Sequence, residues 1–237
     1  MVAALAIAAM ALPLPVAHTA ASRPTPQRVA APAAGPAFRS FDRALSPAQR
    51  KQIRDHHFWH KGCPVGLSDV RLLTVSIRGW DGRSRLGRMV VNERATQPLA
   101  RAFRRLYALH FPIRHMSFAD FYGPIRGRPK DGDVTGSFSC RQAVPSPCNG
   151  GSITTGSGHW SMHAYGLAVD VNPVENPYVG CGQSRDPHAR KYFDRTRHRK
   201  GMVTGKAVAA FASVGWGWGG AWAGNTKDHM HFSSTGH

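Results

Sequence analysis

A histidine and a carboxylate stand seven residues apart around a glycine in the run Ser161-Met162-His163-Ala164-Tyr165-Gly166-Leu167-Ala168-Val169-Asp170-Val171-Asn172. About sixty residues on, Asp228-His229-Met230-His231 adds a second carboxylate and two more histidines. Imidazole and carboxylate hold zinc at ~2.0–2.2 Å, and three such ligands with a fourth position open make a catalytic site, whereas structural sites close all four and favour cysteine. On one continuous helix, residues seven apart would lie roughly 10 Å apart along the axis, too far to share an ion. On one continuous strand an odd spacing would send them to opposite faces. The chain must therefore bend between His163 and Asp170, and Gly166 is the residue best able to bend it. Beyond the glycine, Leu167, Val169 and Val171 alternate with Ala168, Asp170 and Asn172, which predicts a short strand with Asp170 facing the site. His229 and His231 would share a face of an extended strand, so either could be the third ligand, and Asp228 needs a turn to aim at the same ion.

Ser161, His163, Gly166, Ala168 and Asp170, followed by Asp228, His231 and Phe232, form the pattern Ser-x-His-x-x-Gly-x-Ala-x-Asp with Asp-x-x-His-Phe. This resembles the zinc D-alanyl-D-alanine carboxypeptidases and dipeptidases and the L-alanyl-D-glutamate endopeptidases of phage endolysins. The run Gly215-Trp216-Gly217-Trp218-Gly219-Gly220-Ala221-Trp222 is especially similar to the endopeptidase branch. The resemblance implies that His163, Asp170 and His231 hold zinc, with His231 preferred to His229, and that Asp228 is the general base. Ser137-Phe138-Ser139-Cys140-Arg141 resembles the segment in which the family places a substrate-facing arginine, so Arg141 would stabilise the oxyanion of the tetrahedral intermediate. Zinc in such a site lowers the pKa of a water toward ~7 and polarises the scissile carbonyl. Asp228 would take the water proton and hand it to the leaving amine, with no covalent intermediate. The resemblance is tight over residues 137–233, extends back to about residue 60, and leaves the first forty-odd residues unmatched. It implies a peptidase acting on peptidoglycan peptides, at an L-Ala-D-Glu bond or a D-Ala-D-Ala terminus, with the Trp/Gly run favouring the first. A wall-binding module that keeps the metal fold without turnover is the alternative. Asp228 separates the two, because binding alone has no need of it.

Several elements must position these residues. Ser46, Pro47 and Gln49 offer an N-cap, a proline at the first helical position and a capping-box partner. Residues 70–77 and 86–91 read as strands joined through the turn dipeptide Asp81-Gly82. Thr96 is placed to cap a helix whose Leu99, Ala102, Phe103, Leu106 and Tyr107 fall on one face, and 201–213 reads as another short helix. Trp216, Trp218 and Trp222 read as packing residues around a glycine-rich turn, one of them available to line a substrate cleft. Together these predict one α+β domain over residues 46–237, a small antiparallel sheet with flanking helices. The resemblance adds that its fold is a hedgehog/D,D-peptidase-like zinc fold, expected to work as a monomer.

The first charged residue is Arg23, and residues 1–16 are a nearly unbroken apolar run followed by small residues, similar to a secretory signal over 1–22 although no Lys or Arg precedes it. With Pro13 and Pro15 inside it, the run is too short and too broken for a good membrane span. Residues 23–45, rich in Pro, Ala and Arg, read as a flexible tether. Cys63, Cys140, Cys148 and Cys181 are an even number in a chain with an export signature, so one or two disulfides are expected; their spacing contains no CxxC pair. A net charge of +18 exceeds what solubility requires and implies an anionic partner. For an exported protein the natural partner is a cell wall with acidic polymers. No helix-turn-helix, zinc-finger or stacked-aromatic signature supports nucleic acid.

Overall fold

The structure, a computed structural model, describes residues 37–149 and 158–237. The expected signal at 1–22 and the start of the expected tether lie outside those residues. The end of the tether is corrected: Ser40–Ala44 form a strand, β1. It leads into helix α1 (Pro47–Asp55), where the capping box is complete. The Gln49 N–H donates to Ser46 Oγ at 3.2 Å, and the Ser46 N–H donates back to Gln49 Oε1 at 3.1 Å.

Strands β2 (Val70–Gly79) and β3 (Ser84–Asn92) form the expected antiparallel hairpin. The other edge of β2 carries β1, antiparallel, and further along the short parallel strand β4 (Pro112–Ile113), which follows helix α2 (Thr96–Ala108). Side chains alternate across the pleat of β2, so its two faces enter different cores. Leu73, Val75 and Ile77 pack with Leu99, Phe103 and Leu106 of α2 and with Val169, Val171 and Phe232. Val70 and Leu72 pack instead with Ile53, Tyr122 and Phe138. Burial on both faces explains why β2 reads as a near-continuous apolar run.

Thr96 does not cap α2. It is the first helical residue, and the helix continues from a 3-10 turn, Glu93–Ala95, whose cap is Asn92 with its Oδ1 accepting from the Arg94 N–H. Thr96 Oγ1 donates to the Glu93 carbonyl instead. A short helix α3 (Phe118–Tyr122) follows β4 and sends the Tyr122 hydroxyl to the Phe138 carbonyl at 2.6 Å.

The site is built on the remaining strands: β5 (Ala168–Asp170), β6 (Tyr178–Gly180), β7 (Gly217–Trp218), β8 (Thr226–Asp228) and β9 (His231–Ser233), with helix α4 (Gly205–Ala212) between β6 and β7. They form an antiparallel sheet in the order β5-β9-β7 and a separate antiparallel pair β6-β8. The α+β architecture holds, but the strands of the described residues divide among three sheets rather than one. Phe232 of β9 stacks on Phe211 of α4 with ring centroids 3.9 Å apart, tying the site sheet to the helical layer. Disulfides join Cys63 to Cys140 and Cys148 to Cys181. No described helix is long and apolar enough to cross a membrane.

Candidate active site

Local chain geometry brings the seven-residue pair together. Ser161 caps the 3-10 turn Met162–Tyr165 by accepting from the His163 N–H, and Gly166 closes the turn in the left-handed region at φ +65°. A side chain there is excluded twice over. L-residues are strained at that φ, and a Cβ would lie 2.6 Å from the backbone nitrogen of Asn92, which itself donates to the Gly166 carbonyl at 2.9 Å. The chain then enters β5, where Asp170 stands opposite His231 of β9 in antiparallel register, so both side chains project from one face.

Four donor atoms converge. His163 Nε2 lies 3.2 Å from His231 Nδ1 and 3.1 Å from Asp170 Oδ2, and His231 Nδ1 lies 3.3 Å from Asp170 Oδ1. Two ligands at zinc–nitrogen distance from one tetrahedral ion are ~3.3 Å apart, so the trio has the span a zinc ion requires. The protons agree. His163 Nδ1 lies 2.6 Å from the Ser137 carbonyl, which can only accept, so Nδ1 carries the hydrogen and Nε2 turns a lone pair into the cluster. A backbone carbonyl behind the outer ring nitrogen is the usual support of a metal-binding histidine. Ser137 is in place because residues 136–138 run between the sheets, Gly136 pairing with Asp170 and the Phe138 N–H donating to the Val90 carbonyl. These residues fit a zinc ion.

Electrostatics follow from the same packing. Burial penalises the Asp170 carboxylate, but His163 and His231 beside it outweigh that and hold its pKa well below the usual range. Burial pulls the His163 pKa down, with Asp170 opposing. In His231 burial acts downward too, yet the bonded Asp170 carboxylate raises the pKa on balance. Asp228 is pushed up to about 7 by burial and by repulsion from Asp170, with His231 and Arg141 opposing. Its Oδ1 is buried without a hydrogen-bond partner among the described residues.

The chain bends at His229 and Met230, between β8 and β9, and this separates the roles of the two histidines. Asp228 and His231 both line a cleft of about 590 Å³ that also contains His163, Asp170 and Arg141. His229 is not among its lining residues. Its ring packs 5.7 Å from that of Trp218, and burial, then Arg195 and Lys227, lower its pKa to about 4. Trp222 is the tryptophan of the glycine-rich run that lines the cleft, its ring 5.7 Å from that of His231. Trp216 is buried, and Trp218 donates from Nε1 to the His229 carbonyl.

Arg141 is carried on an irregular segment paired with 159–161, the Ser161 N–H donating to its carbonyl, and Cys140 just before it is fixed by the disulfide to Cys63. Its charge is felt by both His163 and Asp228. His60, Cys63 and Cys140 also cluster, but both cysteines are in that disulfide, which leaves one imidazole. Sequence reasoning missed Tyr178, the strand partner of Asp228, and Trp160 and Arg185, which line the cleft. Tyr178 and Arg185 come from a stretch with no periodicity, so nothing in the sequence singled them out.

Residues 155–234 match the family model described as D-alanyl-D-alanine carboxypeptidase. That span includes His163, Asp170, Asp228 and His231 and leaves Arg141 outside, and it supports the family resemblance and a peptidase. No curated protein and no solved structure matches the chain.

Proposed function

We propose that the protein is an exported zinc metallopeptidase, of the D-alanyl-D-alanine carboxypeptidase type and its hedgehog/D,D-peptidase-like zinc fold, that hydrolyses peptide bonds in peptidoglycan stem peptides. The observation that carries this reading is the convergence of His163 Nε2, His231 Nδ1 and the Asp170 carboxylate within 3.1–3.3 Å of one another. These three would hold the metal, which when bound supplies Lewis-acid polarisation of the scissile carbonyl and a more acidic water.

The chain's own residues do the rest. Ser137 orients His163 through its carbonyl, fixing the tautomer that offers Nε2. Asp228, with a pKa near neutrality and an unsatisfied oxygen, takes the proton of the attacking water and delivers it to the leaving nitrogen. Arg141 presents fixed positive charge to the oxyanion as the carbonyl carbon becomes tetrahedral. Trp160 and Trp222 wall the cleft beside these charged groups. The bond is L-Ala-D-Glu, cleaved as an endopeptidase, or terminal D-Ala-D-Ala, cleaved as a carboxypeptidase. Two disulfides are compatible with an extracellular setting. The net charge of +18 suits a wall carrying acidic polymers. Purified peptidoglycan digested with the metal-loaded protein should release new termini identifiable by mass spectrometry. New L-Ala carboxyl termini mark the endopeptidase and free D-Ala the carboxypeptidase, while no new terminus refutes the reading.

A further inference from the structure

The cleft wall at Ser184, Arg185 and Asp186 runs directly into a cationic segment that the proposed reaction does not use. Over residues 187–200, Arg190, Lys191, Arg197, Arg199 and Lys200 stand exposed against a single exposed acid, Asp194. Asp194 is occupied locally, its Oδ1 accepting from the Thr196 N–H and its other oxygen 3.8 Å from Arg197 Nε. Ordinary solvated surfaces intersperse the two signs.

The segment has little regular structure, yet it is pinned. Ala189 and Tyr192 are buried, and the Tyr192 hydroxyl donates to Glu175 Oε1 at 3.2 Å. Arg195 turns inward and donates to the Glu175 carbonyl, Asn176 Oδ1 and the Val203 carbonyl at 2.8 to 3.1 Å. The backbone is thus held by its inward residues while the outward cations face solvent beside the cleft mouth. Holding the backbone in advance lowers the ordering cost of binding a charged chain.

We propose that this segment is a docking surface for an anionic wall polymer whose charges are phosphodiesters. Three of the five exposed cations are arginines, whose planar fork binds phosphate oxygens in pairs. The inference rests on the peptidoglycan reading above, since a polymer attached to that wall would hold the cleft beside its stem peptides.

The test compares two full-length variants of equal charge change. One combines Arg190→Gln, Lys191→Gln, Arg197→Gln and Arg199→Gln; the other combines Arg94→Gln, Arg101→Gln, Arg104→Gln and Arg105→Gln, exposed residues on and beside α2. Binding is measured by co-sedimentation with sacculi bearing a phosphodiester polymer, with the same sacculi stripped of it, with anionic phospholipid vesicles and with duplex DNA. At roughly fivefold per charge, the first variant should lose ~10²–10³-fold in affinity for intact sacculi, and the α2 variant less than about tenfold by comparison. Stripping the polymer should weaken the wild type as much as the first variant does. Equal losses in the two variants would reduce the effect to bulk charge and overturn the proposal, as would indifference to stripping or tighter binding to vesicles or DNA. Cleavage of a short soluble stem peptide is measured in parallel and should be unchanged in both variants; slowing in the first alone would assign the segment to the cleft instead. A wild-type protein that cleaves no such peptide refutes the peptidase reading and leaves the docking result to stand on its own.

Discussion

Replacing Gly166 with alanine tests whether one backbone position assembles the site. Two costs add. A left-handed conformation at φ +65° costs an L-residue roughly 1 kcal/mol or more. The new Cβ would also stand 2.6 Å from the Asn92 nitrogen, so the two backbones must separate by most of an ångström, stretching the 2.9 Å hydrogen bond from Asn92 N to Gly166 O. Losing that bond adds about 1 kcal/mol, for a total of about 2–3 kcal/mol and a Tm lower by about 5–10 °C in a domain of this size. Because His163 and Asp170 flank the glycine, the same displacement moves one proposed ligand against the other. Zinc affinity should therefore fall at least tenfold, since metal sites tolerate only ~0.2 Å in ligand distance. Gly82→Ala is the control, because Gly82 sits at φ +79° in the hairpin turn, where an added methyl would meet nothing within 4 Å. It should cost only the conformational part, about 1 kcal/mol, and leave zinc binding alone. Calorimetric melting and competitive zinc titration of both variants decide the matter. A Gly166→Ala protein that melts no lower than Gly82→Ala and binds zinc as the wild type does would refute the claim that this turn sets the ligand geometry.

Other outcomes follow from the same geometry. His163→Ala and His231→Ala should each lose the bound zinc measured by metal analysis, while His229→Ala keeps it; the opposite result for the two C-terminal histidines would move the ligand to His229. Asp228→Asn preserves shape and zinc but removes the proton acceptor, so turnover on a soluble peptide should fall by roughly 10²–10⁴-fold; loss of zinc instead would make Asp228 a ligand. Arg114 serves two buried carboxylates at once, Nε 2.6 Å from Asp133 and Nη2 2.6 Å from Glu175. Burial and the neighbouring Glu175 raise the Asp133 pKa to about 8. Its folded pKa thus exceeds the unfolded value, so its contribution to stability is full at low pH and is lost as pH rises through about 8. Tm should fall between pH 5 and 9 in the wild type, and Asp133→Asn should flatten that slope; an unchanged slope would show that Asp133 does not carry it.

What could be read from the sequence was what short-range geometry fixes. The bend at Gly166, the capping box of Ser46 and Gln49, the β2-β3 hairpin and the apolar face of α2 each depend on residues within one turn or one hairpin. What could not be read depends on pairing across the chain. β1 is an edge strand whose residues are mostly exposed, so it shows no alternation and its polar, arginine-bearing sequence passes for tether. β7 and β8, of two and three residues, are too short for a period to be counted, whereas β5 is legible because the alternation continues through the flanking Leu167 and Val171. The pairing of the four cysteines, and the arrival of Tyr178 opposite Asp228, exist only once the sheets have formed.

The bend at His229 and Met230 separates the two roles proposed for one short motif. His231 is held by β9 in the middle of its sheet, with β5 supplying Asp170 on one side and β7 packing on the other. Asp228 ends β8, whose partner is β6 in a different sheet, with Tyr178 directly across from it. Of the proposed metal ligands, Asp170 and His231 are therefore set by one sheet and His163 by the turn leading into β5, while the proposed acid/base carboxylate is set by another sheet, and the two sheets meet at a two-residue bend. A change on the β6-β8 side can shift Asp228 while leaving the His163, Asp170 and His231 cluster intact. Metal affinity and turnover should then vary independently across substitutions in the two sheets. In a single continuous strand they could not, because one register would fix ligand and base together and would turn His229, not Asp228, toward the face that His231 occupies.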